Sequence, residues 1–367
     1  MVFDLLRCAR PKRLHRAIVV ASFVLTLCLA GSGADRNKPA AELRPPDLLL
    51  EGGRSLTFER VIHTQRDVHK PGFWGKMADI VAGEPEFKNM GRPYSVAVDS
   101  TGRILVTDPG ARGVHIFDVA HNKYKFLDRQ DKYSEPMREP QCVAVDAKDN
   151  IYVTDSKAGK IFVFDAQGKF RHVFGSLKGG EGFFKRPTGI AIDPDTQDIF
   201  VTDTLRDRVF VLDPKGQVVR SIGKHGSEIG QFNLPTEVLI RNGIVAVVDA
   251  MNFRIQLLDR NGSVLGVIGS LGDSAGGVFR PKGIAIDSEG HIYVVEGLWG
   301  IVQVFDREGR LLYYFGKRGT RLGEFQLPSG LFIDRSDRVY VADSYNQRVQ
   351  VFQYHGLKSA NPESQKP

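Results

Sequence analysis

Six prolines at near-equal intervals, each opening a set of four short β-prone runs, predict an all-β fold. The predicted form is a six-bladed β-propeller of four-stranded antiparallel blades. The prolines are Pro93, Pro140, Pro187, Pro235, Pro281 and Pro328, spaced 47, 47, 48, 46 and 47 residues apart. A fixed period in that range means a solenoid, a propeller or an array. The content of each copy selects the propeller. Residues 280–316 show it best, with apolar runs at 283–287, 291–296, 302–306 and 311–316 separated by Gly-, Ser- and Glu-containing turns. Such runs read as the strands of an antiparallel meander. One four-stranded sheet has two open edges and too little core to stand alone, so it requires neighbours.

The segment before the repeats has a different character. Arg7, Arg10, Lys12, Arg13 and Arg16 precede an uncharged run of 14 residues at 17–30, and small residues follow at 31–34. Residues 1–34 therefore read as a secretory signal, with an uncleaved N-terminal membrane anchor through 17–30 as the alternative. As a helix that run spans about 21 Å, short of the roughly 30 Å of bilayer hydrocarbon. Export to the periplasm or the cell exterior is the expected localisation. Removing the segment leaves 45 Lys and Arg against 42 Asp and Glu, about +3 rather than +7. That near-neutral balance gives little support to a nucleic-acid partner, which needs concentrated basic surface. Of three cysteines only Cys142 lies beyond residue 34, so neither an intrachain disulfide nor a cysteine metal cluster is expected. Cys142 itself reads as a small buried apolar residue. Residues 35–76 form a Pro-containing linker and N-terminal extension, in which 56–63 (LTFERVIH) alternates like a strand. The propeller is expected over 77–356, followed by a polar tail at 357–367.

Within the repeat, inner runs at 95–99, 142–146, 189–193, 237–241, 283–287 and 330–334 are followed by second runs ending in Asp108, Asp155, Asp203, Asp249, Glu296 and Asp343. Fourth runs end in Gly175, Gly223, Gly269 and Gly316, each 12 residues before the next anchor proline. The last copy has no fourth run. The expectation is that an N-terminal strand at 77–82 completes the final blade and closes the ring, which removes the open edges.

The sequence of motifs P-x-G-I-A-I-D, I-Y-V-x-D, a turn leading to R-V-Q-V-F-D, and a fourth run ending F-G resembles the NHL repeat. The stretch 343–352 (DSYNQRVQVF) is the nearest copy, and the resemblance extends over 77–355. It implies the six-bladed fold and leaves the activity open. Similar propellers include peptide-amidating lyases, sugar lactonases, RNA-binding regulators and exported proteins of unassigned role. Fold alone does not decide function.

Geometry places the candidate site on the face that carries the inter-blade loops and the loops after the second strands. The six acids ending the second strands recur too regularly for a catalytic role. Each is expected to bond its own turn and to pair with the cation five residues on, namely Lys160, Arg208, Arg254 or Arg348. Two copies depart from that rule: Gly113 replaces the cation beside Arg112, and Glu296 is followed by Trp299 and Ile301. Departures of this kind are where function overrides a local rule, with drift beside the closing blade as the plain alternative. A second signal sits at the anchor prolines. Arg92, Arg186 and Arg280 precede three of them, Tyr94 and Lys282 follow two, and Glu237 takes a place where small residues are usual. Converging on one mouth, these cations would attract an anionic ligand; alternatively they pair with acids of neighbouring loops. The ligand-binding candidates are thus Arg92, Tyr94, Arg112, Arg186, Glu237, Arg280, Lys282, Glu296 and Trp299.

No metal or other cofactor is expected. The lyases that the chain resembles carry metal-binding His in the loop after the second strand. Here the corresponding positions hold Arg112, Gly159, Asp207, Phe253, Gly300 and Gln347. A lactonase-like cluster of acid, Asn and Asp has its nearest approximation in Glu237, Asn252 and Asp249, all from one copy. No P-loop, nucleophile elbow or dinucleotide fingerprint is present. The expected function is an exported, monomeric, non-catalytic binding or scaffold propeller recognising a protein or glycan of the cell envelope on its long-loop face. The alternative is a propeller hydrolase or lyase, sugar-lactonase-like or peptide-amidating-lyase-like, with its site at the mouth of the central channel.

Overall fold

A computed structural model describes residues 44–68, 88–129, 136–272 and 276–357. Their strands fall into six antiparallel sheets. Blade 1 consists of Val96–Val98, Ile104–Asp108, Gly113–Asp118 and Lys123–Leu127. Blades 2 to 5 repeat that order over 140–174, 187–222, 235–268 and 281–315. Blade 6 begins with Leu331–Ile333, Arg338–Asp343 and Arg348–His355. Each innermost strand packs against the innermost strand of the next blade, and that of blade 6 against that of blade 1. The expected six-bladed propeller is therefore the observed fold.

The alternation of each strand buries both faces of each sheet. The second strands Ile104–Asp108, Ile151–Asp155 and Ile199–Asp203 are buried at every position, whereas the outermost strand Val218–Ile222 is mostly exposed. The apolar core is accordingly split into six clusters, one per blade interface. Tyr293, Val295, Val302 and Val304 of blade 5, for example, meet Val339, Val341 and Phe352 of blade 6. Each such side chain contributes about 1.5–3 kcal/mol by leaving water. All six clusters lie between neighbouring sheets.

The ring closes through an N-terminal strand, but not through the one expected. Ser55–Ile62 pairs antiparallel with Arg348–His355 as the fourth strand of blade 6, with Leu56 opposite Tyr354 and Ile62 opposite Val349. Leu48–Leu49 adds a fifth strand outside it. Residues 77–82 lie outside the described residues, and the edge assigned to them is already occupied. The physical reason is length and pattern. Ser55–Ile62 supplies eight residues, burying Leu56 between blades 5 and 6 and Ile62 between blades 6 and 1. Phe58 packs edge-on against Phe352 at 5.6 Å. Arg54 Nε reaches Glu289 Oε2 at 2.9 Å, and Arg338 Nε reaches Glu59 Oε2 at 2.9 Å. At the inner rim blades 6 and 1 are joined by hydroxyls: Ser329 donates to the Tyr94 carbonyl at 2.7 Å and Ser344 to the Pro93 carbonyl at 2.6 Å. The 1–34 signal or anchor also lies outside the described residues. Among those described, no helix is long and apolar enough to cross a membrane.

Two buried side chains on the closing strand make this arrangement testable. Leu56→Ala and Ile62→Ala are each expected to lower the unfolding free energy by about 2–4 kcal/mol in a urea melt. Removing residues 44–62 leaves the edge of Arg348–His355 open, and the product is expected to aggregate or lose its cooperative melt. A deletion that melts like the parent refutes the closure.

Candidate functional site at the mouth of the central axis

The site is built by a clamp repeated in every blade. The acid ending each second strand is fully buried. It accepts backbone N–H groups from the loop that leads into the inner strand of the same blade. Asp108 takes Gly91 and Arg92, Asp155 takes Arg138 and Glu139, Asp203 takes Lys185 and Arg186, and Glu296 takes Phe279 and Arg280. In blades 4 and 6 the acid takes only one of these, Asn233 or Gln326. Its other oxygen there is filled by Asn252, Arg254 and Gln256, or by Asn346, Arg348 and Gln350. The expected cation pairing is thus real for Asp249–Arg254 and Asp343–Arg348, at 2.8 and 2.7 Å. It is incorrect for the other two. Lys160 donates to the Gly180 carbonyl and Arg208 to the Arg206 carbonyl, while Asp203 instead pairs with Arg206 at 3.7 Å.

The register explains the spacing. Each acid pairs across the strand with the residue five positions on, from Asp108 opposite Gly113 to Asp343 opposite Arg348. The residue before that partner is left-handed in every blade: Arg112, Gly159, Asp207, Phe253, Gly300 and Gln347 have φ between 52° and 68°. Backbone bonds such as Thr204 N–H to the Arg186 carbonyl and Gly297 N–H to the Arg280 carbonyl tie this turn to the loop before the proline. Both loops therefore form one face.

At the axis the inner strands crowd together. A Cβ on Gly189 would come within 2.7 Å of Glu237 Cα, one on Gly283 within 2.5 Å of the Ser329 carbonyl, and one on Gly330 within 2.4 Å of the Tyr94 carbonyl. The same level in the other three blades carries Ser95, Cys142 and Glu237. Cys142 Sγ lies 3.3 Å from Ser95 Oγ and donates to Glu237 Oε1 at 3.4 Å, joining blades 1, 2 and 4 across the axis. Glu237 Oε1 also accepts its neighbour's N–H, from Val238, at 3.2 Å. Glu237 keeps some surface, yet its carboxyl is enclosed. Burial pushes it up to about 8, against the smaller opposing effect of those two hydrogen bonds. Burial and then the Glu237 charge push the Cys142 thiol well up, which excludes a reactive thiolate. Burial, with Glu237 next, raises the Tyr94 hydroxyl, while Arg186 and Arg92 oppose it. Lys282 is lowered, first by burial and then by Arg280 and Arg186.

Those shared influences locate the sequence candidates. Arg186 of blade 3 acts on Tyr94 of blade 1 and on Lys282 of blade 5, so its charge reaches the axis between them. Arg92, Tyr94, Arg186, Glu237, Arg280 and Lys282 form one group, with exposed guanidiniums above and Glu237 and Cys142 below. Glu296 belongs to the clamp: it is buried, and burial pushes it up to about 7 against the N–H groups of Arg280 and Phe279. Trp299 stands where blades 4 and 6 have the clamping Asn252 and Asn346, on a turn whose Gly297 lies against the Lys282 stem. Arg112 is exposed on the blade 1 turn. Among the described residues no hydrogen bond, ion pair or ring contact joins Arg112 or Trp299 to the mouth. Cys142, read as ordinary core, turns out to be the partner of Glu237. The signal is in its column, where Ser95, Cys142 and Glu237 share the position with Gly189, Gly283 and Gly330. Among the described residues no three His, Cys, Asp or Glu side chains are placed to hold a metal ion. A cleft of about 560 Å³ lined by His172, Phe174, Pro214 and Lys215 lies away from this group, between blades 2 and 3.

Glu237 has a pH consequence with a definite sign. A carboxyl raised from 4.5 to about 8 by folding stabilises the fold fully below the lower value, and that contribution is lost as pH rises through the upper one. Glu237→Gln is therefore expected to match the parent near pH 4.5 and to exceed it by roughly 3–5 kcal/mol at pH 8 and above. Urea melts across that range check it; a constant difference between the two proteins refutes it.

The NHL repeat family profile matches residues 137–164 and 325–352. No curated protein matches the chain. Solved structures share the fold at low identity. A gluconolactonase from Xanthomonas campestris superposes with TM-score 0.56 at 15% identity, over 86% of this chain and 99% of its own. A virginiamycin B lyase from Staphylococcus aureus gives 0.53 at 13%, over 72% and 95%. An auxiliary nutrient binding protein from Bacteroides thetaiotaomicron gives 0.56 at 10%, over 73% and 70%. At such identities the likeness establishes architecture alone, and the neighbours range from lyase and lactonase to nutrient binding. The chain is thus a six-bladed β-propeller in which two stretches, 137–164 and 325–352, match the NHL repeat.

Proposed function

We propose that this propeller is a non-catalytic binding module that takes an anionic ligand at the mouth of its long-loop face. The observation that carries this reading is the set of rim cations. Among the described residues no carboxylate pairs with Arg92, Arg186, Arg280 or Lys282. Converging unpaired cations repel one another unless an anion joins them, and the planar guanidinium fork suits carboxylate or phosphate. Glu237 beneath them, at about 8, carries too little charge near neutrality to neutralise the rim. The partner is a protein or acidic glycan of the cell envelope, on the reading of residues 1–34 as an export segment that is cleaved or kept as a tether. Binding needs no activated group. A second reading, hydrolase or lyase, rests on Glu237, which holds a proton below the mouth where a general acid would be placed.

Labelled poly-L-glutamate is a suitable probe. Its affinity for the parent is expected to fall steeply with salt, and Arg186→Glu with Arg280→Glu is expected to weaken it at least about tenfold. Equal binding by the double variant refutes the mouth as an anion site. Turnover of a lactone, lost in Glu237→Gln, would replace the binding reading with the catalytic one.

A further inference from the structure

The face around the mouth is not uniformly polar. Two residues past the clamping acid, the turn tips of blades 3, 4, 5 and 6 are Leu205, Met251, Leu298 and Tyr345, exposed to 52%, 49%, 39% and 65%. The same position is Gly110 in blade 1 and Lys157 in blade 2. Four consecutive blades thus present a large apolar side chain to solvent, and two do not. Leu327, at the rim of blade 6, is exposed as well. Its φ of 46°, like the 50° of Leu234 at the rim of blade 4, places a leucine in the left-handed region directly before a proline. That conformation is unfavourable both for a bulky residue and for a residue preceding proline. Strain held at an exposed apolar side chain is characteristic of binding surfaces, and exposed apolar residues grouped over one face mark a docking area.

We infer that this crescent, together with the basic mouth it partly encircles, docks an acidic polypeptide segment flanked by apolar side chains. The inference rests on the anion-binding reading of the mouth and names its partner class. Charge complementarity selects the acidic centre: Arg186, Arg280 and Lys282 belong to blades 3 and 5, inside the crescent, and no described carboxylate meets them. The crescent selects a polypeptide. Three of its four tips are aliphatic, which suits leucine- or phenylalanine-like side chains and offers few of the flat faces on which sugars or bases stack. The occupant's carboxylates enter the mouth between Arg186 and Arg280, and its apolar residues cover Leu205, Met251, Leu298 and Tyr345.

Two synthetic peptides of equal length and charge test this, one with glutamates flanked by leucine and phenylalanine and one with glutamates flanked by serine. The apolar-flanked peptide is expected to bind the full chain at least about tenfold more tightly. A Leu205→Ser, Met251→Ser, Leu298→Ser triple variant is expected to lose that preference while binding the serine-flanked peptide as the parent does. All three side chains are exposed, so a thermal melt matching the parent shows that the fold is intact. Equal affinity for both peptides, or a preference unchanged in the triple variant, overturns the crescent and leaves the anion mouth standing. Binding of neither peptide overturns both. A sulfated glycan or single-stranded RNA that outcompetes the apolar-flanked peptide also overturns the polypeptide assignment.

Discussion

A buried carboxylate holding backbone N–H groups is the interaction on which the rest of this ring depends. Each second strand delivers an acid to a place with no exposure, and a charge there is tolerable only if its oxygens are filled by donors. The donors come from the loop entering the same blade, so one side chain fixes both where the inner strand begins and which way the rim residue points. The clamp has two forms. Where the acid grips two N–H groups, the residue before the proline is Arg92, Glu139, Arg186 or Arg280. Where Asn, Arg and Gln side chains fill part of the acid, as in blades 4 and 6, the rim residue is a left-handed leucine. The chemistry of the face is thereby coupled to how each buried acid is satisfied.

The closing strand carries a different load. Six interface cores confer stability only if every interface has two partners, so one missing strand would weaken two interfaces at once. Leu56 and Ile62 sit in separate cores for that reason. Serine hydroxyls at the inner rim repeat between blades 6 and 1 what threonines do elsewhere: Thr107, Thr154 and Thr202 each bridge to a carbonyl of the next blade.

The blade count, strand order and shared loop face were legible because the period is strict and the alternation is strong. The closing strand was misplaced because a terminal strand has no repeat to align with. Gly83 follows 77–82 as a glycine follows the other fourth runs, but it stands 10 residues before Pro93 rather than 12. Ser55–Ile62 was visible as a strand but carried no mark of its destination. At the site, Arg92, Arg186, Arg280, Lys282 and Glu237 were legible as breaks in a column. Cys142 was not, since a cysteine in an apolar run has no individual signal; the approach of blades 1 and 4 gives it Ser95 and Glu237 as partners. The apolar tips carry no sequence signal, because periodicity reports what is buried and says nothing of a leucine facing water.

Placement of strained and uncompensated groups follows from the same architecture. Glu237 raised by burial, Lys282 lowered by burial and by neighbouring arginines, and leucines in left-handed turns all reduce stability. In a protein with a central apolar core such groups would compete with the packing that holds the fold. Here the apolar clusters lie between sheets, and the axis level carries Gly189, Gly283 and Gly330 with Ser95, Cys142 and Glu237. The ring can therefore hold unsatisfied charge and exposed apolar surface at its mouth with little loss to the interfaces that keep it closed. Blade 5 illustrates the separation. Its four strands pack as regularly as any in the ring, while its turn replaces the clamping asparagine with Trp299 and its rim contributes Arg280 and Lys282. Sequence freedom is concentrated where the fold draws least of its stability, and that is the face on which a partner can be read.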